Sequence, residues 1–119
     1  MYASNAGTEL FKAPEIEDEK YSNKCDLYSI GIILYMLKTG EYIFEGKNYV
    51  DKLINKRLHK IKKDTDDIIL NNLIKKLVVI DPHERMNWED YFNDPFFNVD
   101  DDDIHQNEEC KINYLNILR

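Results

Sequence analysis

The apolar positions of this chain fall into stretches with helical spacing, and the most apolar of them runs from Lys24 to Gly40. When this stretch is wound as a helix, apolar side chains occur on every side, and a helix that is apolar all round is buried on all sides. Asp26 falls in the first turn, where the helix dipole favours an anion, and Gly40 is a typical C-terminal stop. The pattern therefore predicts a buried central helix, capped at its start by Ser22 or Asn23.

Three further helices are predicted after this one. The first covers Lys47–Lys63 and is strongly basic. The second begins at a cap on Thr65 or Asp66, repeats apolar residues every three or four positions, and ends at Pro82. The third is short and begins after Asn87. The first of these three carries its apolar residues on one side: Tyr49, Val50, Leu53, Ile54 and Leu58. No segment alternates at period two for long, so we predict an all-α fold.

Composition excludes several classes of function. The 119 residues predict one domain, and a net charge of −7 argues against nucleic acid as a primary partner. Two distant cysteines, Cys25 and Cys110, form neither a disulfide framework nor a metal quartet. The three histidines lack metal-ligand spacing, so no metal site is predicted. The sequence contains no membrane-length apolar run or signal peptide, which makes an intracellular, cytoplasmic setting without membrane contact the expectation.

Two charged stretches allow more than one interpretation. The basic stretch Lys52–Lys63 is either a solvated helix face or a surface for an acidic substrate or partner. The run Asp100–Asp103 lacks the glycine and distal glutamate of a calcium loop, so we interpret it as part of an acidic tail. Residues Ile112–Leu118 have the composition of a final turn or two of helix.

Four short motifs occur in order along the chain, at Gly7–Glu15, Asp26–Gly31, Asp81–Arg85 and Asp94–Phe97. In order and approximate spacing they resemble the C-terminal lobe of eukaryotic protein kinases. The first resembles the end of the activation segment with its Ala-Pro-Glu motif, and the second the Asp-x-Trp-Ser-x-Gly start of the central helix. The others resemble the Asp-Pro-x-x-Arg turn and the His-Pro-Phe-Phe close. The resemblance implies a C-lobe fragment over residues 1–98, followed by a tail over 99–119.

The chain also departs from the family pattern. Tyr28 replaces the usual Trp, Asp94 replaces His, and Ile43 stands where the family often has Pro. The sequence has no Gly-rich loop, Val-Ala-x-Lys strand, His-Arg-Asp loop or Asp-Phe-Gly motif, and these are the parts that hold ATP and magnesium in the family. We therefore expect this fragment to bind neither ATP nor Mg²⁺ itself and to have the N-terminal kinase lobe as a partner.

The resemblance assigns roles to individual residues. The residues that would face a peptide substrate are Gly7, Thr8, Leu10 and Phe11. Thr8 would supply a supporting hydroxyl to the catalytic aspartate and lysine of a Ser/Thr-directed kinase. Ser4 lies where an activation-loop phosphosite occurs, with an ordinary loop serine as the alternative interpretation.

A second group of residues would have structural roles: Ala13, Pro14, Glu15, Asp26, Gly31 and Arg85. Glu15 and Arg85 would form an ion pair that ties the activation segment to the helical lobe. Asp26 would be both a helix-dipole residue and an anchor for the backbone of the catalytic loop.

The functional hypothesis follows from these assignments. In the intact protein, ATP-dependent phosphorylation of Ser or Thr in protein substrates is expected, with this part supplying the substrate-binding side and a scaffold. The alternative is a non-catalytic, pseudokinase-like interaction module. A third interpretation, an unrelated helical scaffold, leaves the four ordered motifs unexplained.

Overall fold

The computed structural model describes residues 9–17 and 21–98. Among these residues the only strand-like pairing is one antiparallel bridge between Phe44 and Ile61. The prediction of an all-α fold is therefore confirmed. The helices are α1 (Lys24–Thr39), α2 (Tyr49–Arg57), α3 (Ile68–Leu77) and α4 (Trp88–Phe92), with 3₁₀ turns at Pro14–Glu17 and Pro95–Phe97. The predicted tail and its final helical turns lie outside the described residues.

Helix α1 is the centre of the core and packs against α3. At their contact, a Cβ built on Gly31 would lie 2.6 Å from Val78 Cγ2 and 2.8 Å from Leu77 Cβ. Only a residue without a side chain therefore allows the two helices to approach this closely. The fully buried aliphatic residues of the two helices are Leu27, Ile32, Leu34, Leu70, Leu73 and Leu77.

The prediction that α1 is buried on all sides is wrong in one respect. Leu37 keeps 41% of its surface exposed, and Asp26 is exposed in the first turn. Most other apolar residues of the helix are buried or half-buried. An all-apolar pattern therefore identified the central helix correctly, although the packing leaves one strip of it open to solvent.

The helix ends follow capping chemistry, with two differences from expectation. Gly40 ends α1 with φ 75° and donates its backbone N–H to Met36 O, as predicted. At the start of α1, Asn23 makes no side-chain cap bond, although Ser22 Oγ accepts from the N–H of Lys24 at 3.3 Å. The cap of α3 is Asp67, one residue beyond the predicted positions, and its side chain accepts from Leu70 N.

Helix α2 is shorter than the predicted Lys47–Lys63. Its side-chain cap is Asn48, and after Arg57 the residue His59 adopts a left-handed φ of 57° that ends the helical path. The chain then pairs with the loop after α1 instead of continuing as helix, because Lys62 N donates to Ile43 O at 2.8 Å. None of the residues in α2 is buried.

The fourth predicted helix has the expected start. Asn87 caps α4 by accepting a hydrogen bond from the backbone N–H of Asp90. Its single buried residue, Tyr91, packs edge-on against Phe97, while Trp88 donates its indole N–H to Asn23 O at 3.1 Å. Through these contacts α4 closes the fold against the start of α1. No helix in the described part of the chain combines the length and apolar character needed to cross a bilayer.

Candidate functional site

The residues predicted to face substrate lie partly outside the described structure. Ser4, Gly7 and Thr8 belong to the part that is not described, whereas Leu10 and Phe11 are described and half-buried. The described part of this region is the segment formed by residues 9–17, which includes the Ala-Pro-Glu motif.

Two side chains of the helical body hold the backbone of this segment. Ser29, on α1, donates its hydroxyl to Phe11 O at 2.7 Å. Tyr42, just after α1, donates its hydroxyl to Leu10 O, and its ring packs edge-on against the ring of Phe11 with centroids 6.2 Å apart. These two hydroxyls donate to consecutive backbone carbonyls. The helical body therefore fixes the path of the segment at Leu10–Phe11.

A bidentate ion pair holds the other end of the segment. Arg85 Nη1 lies 2.6 Å from Glu15 Oε2, and Nη2 lies 2.9 Å from Glu15 Oε1. Glu15 is 8% exposed and Arg85 only 1% exposed. Pro14 opens the 3₁₀ turn that carries Glu15, and its fixed φ suits a first helical position. The structure thus brings together two residues that are seventy positions apart in the sequence.

The guanidinium of Arg85 has a hydrogen-bond acceptor for each of its N–H groups. Its Nε and Nη2 donate to Val79 O at 3.1 and 2.7 Å, and Nη1 also donates to Lys24 O at 2.8 Å. With the two bonds to Glu15, the guanidinium makes five hydrogen bonds, which equals the number of its N–H groups. A buried charge needs this level of pairing, because the cost of removing it from water is otherwise not offset.

Lys24 is a member of this cluster that sequence reasoning missed. Its Nζ donates to Pro82 O at 3.1 Å and to Arg85 O at 3.0 Å, so it ties the start of α1 to the turn that carries Arg85. Asp81 stabilises the same turn by accepting from His83 N at 2.9 Å. The sequence held no signal for Lys24, since its partners are backbone carbonyls.

Tyr28, at the position where the kinase pattern has Trp, stacks on the ion pair. The Arg85 guanidinium carbon lies 5.2 Å from the centroid of the Tyr28 ring, within the range of a cation–π contact. Burial raises the pKa of Tyr28 well above its ordinary value. The hydroxyl of Tyr28 is buried and has no hydrogen-bond partner among the described residues. The ring therefore covers the ion pair, while the hydroxyl adds no bond within the described structure.

The electrostatics of the pair favour the ionised form of Glu15. Burial acts to raise the pKa of Glu15, but the hydrogen bonds from Arg85, a backbone hydrogen bond and the attraction of the guanidinium outweigh it. The pKa of Glu15 is consequently held below its ordinary value. Protonating Glu15 would replace a bidentate charged pair with a weaker contact.

The other predicted structural residues lie around this pair. Ala13 is 2% exposed and belongs to the core, and Gly31 lies at the α1–α3 contact. Asp26 is exposed in the first turn of α1, and its Oδ1 lies 3.8 Å from Cys25 Sγ. Its predicted anchoring of a catalytic loop involves residues that this chain does not contain, so that role stays a prediction.

A groove of about 470 Å³ lies between the segment and α2. Pro14 and Ile16 line one wall, and Leu53 with Arg57 line the other. Lys12, which also lines the groove, pairs with Glu9 at 2.8 Å. The hydrogen bond from Lys12 lowers the pKa of Glu9, and burial opposes this shift without cancelling it. The lining of the groove thus combines apolar side chains with charges of both signs.

Comparisons with known proteins agree with this arrangement. The sequence profile described as "Protein kinase domain" matches residues 1–97. The chain belongs to the protein kinase domain family. The serine/threonine-protein kinase ATG1 of Colletotrichum lindemuthianum is 41% identical over 95 residues, which cover 75% of this chain and 14% of that protein. The corresponding kinase of Dictyostelium discoideum is 38% identical over 102 residues, covering 84% of this chain and 15% of that protein.

A solved structure has the same fold. The twitchin kinase region from C. elegans superimposes with a TM-score of 0.66 at 28% sequence identity, and the match covers 76% of this chain and 17% of that one. The chain spans about a seventh of the length of the Colletotrichum and Dictyostelium relatives.

The residues of this kinase chain do not fit ATP and magnesium. Protein kinases hold the nucleotide with a Gly-rich loop, a strand lysine and metal-binding carboxylates, and the sequence contains none of these motifs. Among residues 9–17 and 21–98, no group of three His, Cys, Asp or Glu side chains could hold a metal ion. We therefore assign no step of phosphoryl transfer to these residues. The geometry couples the segment formed by residues 9–17 to the helical core.

Proposed function

We propose that this chain is the substrate-binding side and helical scaffold of a kinase that phosphorylates Ser or Thr in proteins. Residues 1–98 are the proposed C-lobe part, and residues 99–119 a tail. ATP and magnesium are held by the other half of the catalytic domain in this proposal, since the motifs that bind them are absent from the sequence. A cytoplasmic location is part of the proposal, supported by the free thiol of Cys25.

The observation that carries the proposal is the double attachment of the segment formed by residues 9–17. Hydroxyl donors hold Leu10 and Phe11, and the Glu15–Arg85 pair holds the Ala-Pro-Glu end. A peptide substrate needs a fixed surface beside the reacting hydroxyl, because misplacement of reacting groups by about 1 Å can cost about a hundredfold in rate. A segment fixed at both ends supports that role.

Thr8 is the residue proposed to select Ser and Thr. It directly precedes the fixed segment in the sequence. In our proposal its hydroxyl bonds the catalytic aspartate and the neighbouring lysine of the intact enzyme, so that the base is oriented toward a short substrate side chain. The names of the relatives, which are serine/threonine-protein kinases, support this choice of substrate class.

A chimera tests the proposal. The N-terminal half of the Colletotrichum relative's kinase domain would be joined to residues 1–119 and assayed on matched peptides that differ only in Ser, Thr or Tyr at the acceptor position. We expect phosphate transfer to Ser and Thr and little to Tyr. Thr8→Val keeps the side-chain shape and removes the hydroxyl, so kcat should fall by about tenfold or more with little change in KM.

Thr39→Val is the matched control. The hydroxyl of Thr39 donates to Tyr35 O at 2.9 Å at the far end of α1, so this variant should keep its kcat. Efficient transfer to Tyr, or full activity in Thr8→Val, would contradict the proposed substrate class. A chimera that folds and shows no transfer to any peptide would instead favour the non-catalytic module.

A further inference from the structure

The positive charge of this acidic protein is concentrated in one region. Seven of its sixteen Lys and Arg residues fall within positions 47–63, although the chain as a whole has a net charge of −7. These residues are Lys47, Lys52, Lys56, Arg57, Lys60, Lys62 and Lys63. In the described part of the chain, every ion pair involves other cations. The protein has an excess of carboxylates, and yet these seven cations are not paired with described ones.

An exposed apolar row lies on the same helix. Val50, Ile54 and Leu58 follow each other at intervals of four, which places them on one side of α2 and its C-terminal cap. They are 61%, 51% and 60% exposed, respectively. Exposed apolar side chains are common when they are scattered, but a contiguous row is typical of an interaction surface.

The row continues into the groove described above. Leu53 and Arg57 lie beside the row on α2 and line the groove opposite Pro14. Ile80, which is 46% exposed, lines it as well. We name the combined surface of Val50, Leu53, Ile54, Arg57 and Leu58 the α2 face. It combines an exposed apolar row with a concave groove that is lined by both apolar and charged side chains.

We propose that the α2 face binds a protein segment that carries apolar side chains flanked by Asp or Glu. The apolar side chains cover the exposed row and enter the groove, and the acidic ones meet cations that form no ion pair with a described residue. The complementary charge mainly steers the encounter, while the apolar contacts supply most of the affinity.

Two features favour a protein segment over other anionic partners. A nucleic acid or an anionic membrane meets a broad part of the surface, and outside positions 47–63 this chain is more acidic than its overall charge indicates. A peptide contacts only the face itself. The groove of about 470 Å³ is also concave, which suits individual side chains better than a flat bilayer. This inference does not depend on catalysis, since binding is measured on the chain alone.

A peptide-display selection tests the proposal. Random 12-residue peptides would be selected against the 119-residue chain, and the most enriched peptide would be labelled for fluorescence anisotropy. We expect the enriched sequences to combine apolar residues with Asp or Glu and to bind more weakly as salt is raised. In Ile54→Ser/Arg57→Glu, the Kd should rise by about tenfold or more.

The matched control is Ile68→Ser/Lys75→Glu on α3. Ile68 is 74% exposed, and Lys75 pairs with Asp64 at the surface. This variant makes the same changes of polarity and charge away from the α2 face, so its Kd should stay within about twofold of the original. Thermal melts of both variants would establish that each is folded.

Several outcomes would overturn the proposal. These are enrichment of basic or uncharged peptides, no enrichment at all, or equal binding by the two double variants. Stronger and α2-dependent binding to phosphatidylserine vesicles would assign the face to membranes. Sedimentation that shows α2-dependent self-association would assign it to a second copy. A variant with Asn at all four positions of Asp100–Asp103 tests whether the chain's own tail covers the face. If this variant binds the peptide about tenfold more tightly, the tail is the occupant. Loss of binding in the chimera would mean that the N-terminal kinase half covers the face.

Discussion

Arg85 and Arg57 both lie beside the segment formed by residues 9–17, but they differ in their burial and in their hydrogen-bond partners. Arg85 is 1% exposed and donates five hydrogen bonds, two of them to Glu15. Arg57 is exposed at the mouth of the groove and forms no ion pair with the described residues. One arginine belongs to the interior of the fold and the other to its surface.

The surroundings of the two residues follow the same contrast. Around Arg85, the aromatic ring of Tyr28, the ammonium of Lys24 and four backbone carbonyls form one connected cluster. Around Arg57, α2 buries none of its residues. A buried charge stabilises the fold only when it is paired and its donors have acceptors. An exposed cation that forms no ion pair is available to bind a partner.

The largest expected effect is that of Arg85→Ala. Removing the guanidinium leaves the buried carboxylate of Glu15 without its partner, and breaking one side of a buried pair costs about 3–5 kcal/mol. We expect the free energy of unfolding in urea to fall by several kcal/mol, or the chain to be unfolded at the start of the titration. Arg57→Ala is the control, and its loss should stay within about 0.5 kcal/mol. Similar, small losses in both variants would remove the distinction between the two arginines.

Gly31→Ala should have the next largest effect. The new Cβ would lie within 3 Å of Val78 Cγ2 and Leu77 Cβ, so α1 and α3 must separate, at a cost of about 1–3 kcal/mol. Val78→Ala in the same chain would remove the closest of these atoms and recover part of the loss, so the two changes should be non-additive. Urea melts of both single variants and the double variant measure this coupling. A stabilised Gly31→Ala would mean that the helices are further apart in solution.

The central helix and the buried ion pair differ in how far the sequence predicted them. The position of α1 and its end at Gly40 followed from the apolar pattern and from cap chemistry, which are local. The meeting of Glu15 and Arg85 could be inferred only from the resemblance to kinases, because no local pattern relates residues so distant in sequence.

The misses have physical reasons as well. Periodicity predicted the apolar side of α2, but whether neighbouring segments cover such a side depends on the tertiary fold. Here Leu53 is half-buried, and the other apolar residues of that side stay exposed. The α3 cap was misplaced because Thr65 bonds Asn71 instead, with its hydroxyl 2.6 Å from Asn71 Oδ1. Several polar residues in a row could serve as the cap, and the sequence alone does not rank them.

Acid should weaken the buried pair selectively. The pKa of Glu15 is lower in the folded protein than its ordinary value, so the folded state favours the ionised form. The stabilisation is present above the unfolded pKa, about 4.3 for Glu, and is lost as the pH falls through the lower folded pKa. The free energy of unfolding should therefore fall as the pH is lowered from 7 to 3. In Glu15→Gln, the contribution of the ion pair to that fall should be missing.

Glu9→Gln is the control for that measurement. Glu9 also has a lowered pKa, through its hydrogen bond from Lys12, but this pair is only half-buried beside the groove, so solvent screens it more than it screens the Glu15–Arg85 pair. The acid dependence of Glu9→Gln should match that of the unmodified chain. If Glu9→Gln changed the profile as much as Glu15→Gln, burial would not be what distinguishes the two pairs.

The smallest expected effect concerns the α2 face. Ile54→Ala removes a side chain that is 51% exposed, so little burial is lost and the unfolding free energy should change by no more than about 0.5 kcal/mol. Ile74→Ala makes the same change on α3, where the side chain is 5% exposed, and should cost about 2–5 kcal/mol. Urea melts at two protein concentrations measure both effects. A loss at Ile54 that approaches the loss at Ile74 would mean that this side chain is buried in solution. If that loss grew with protein concentration, a second copy of the chain would be what buries it, and the α2 face would then not be free to bind an acidic segment.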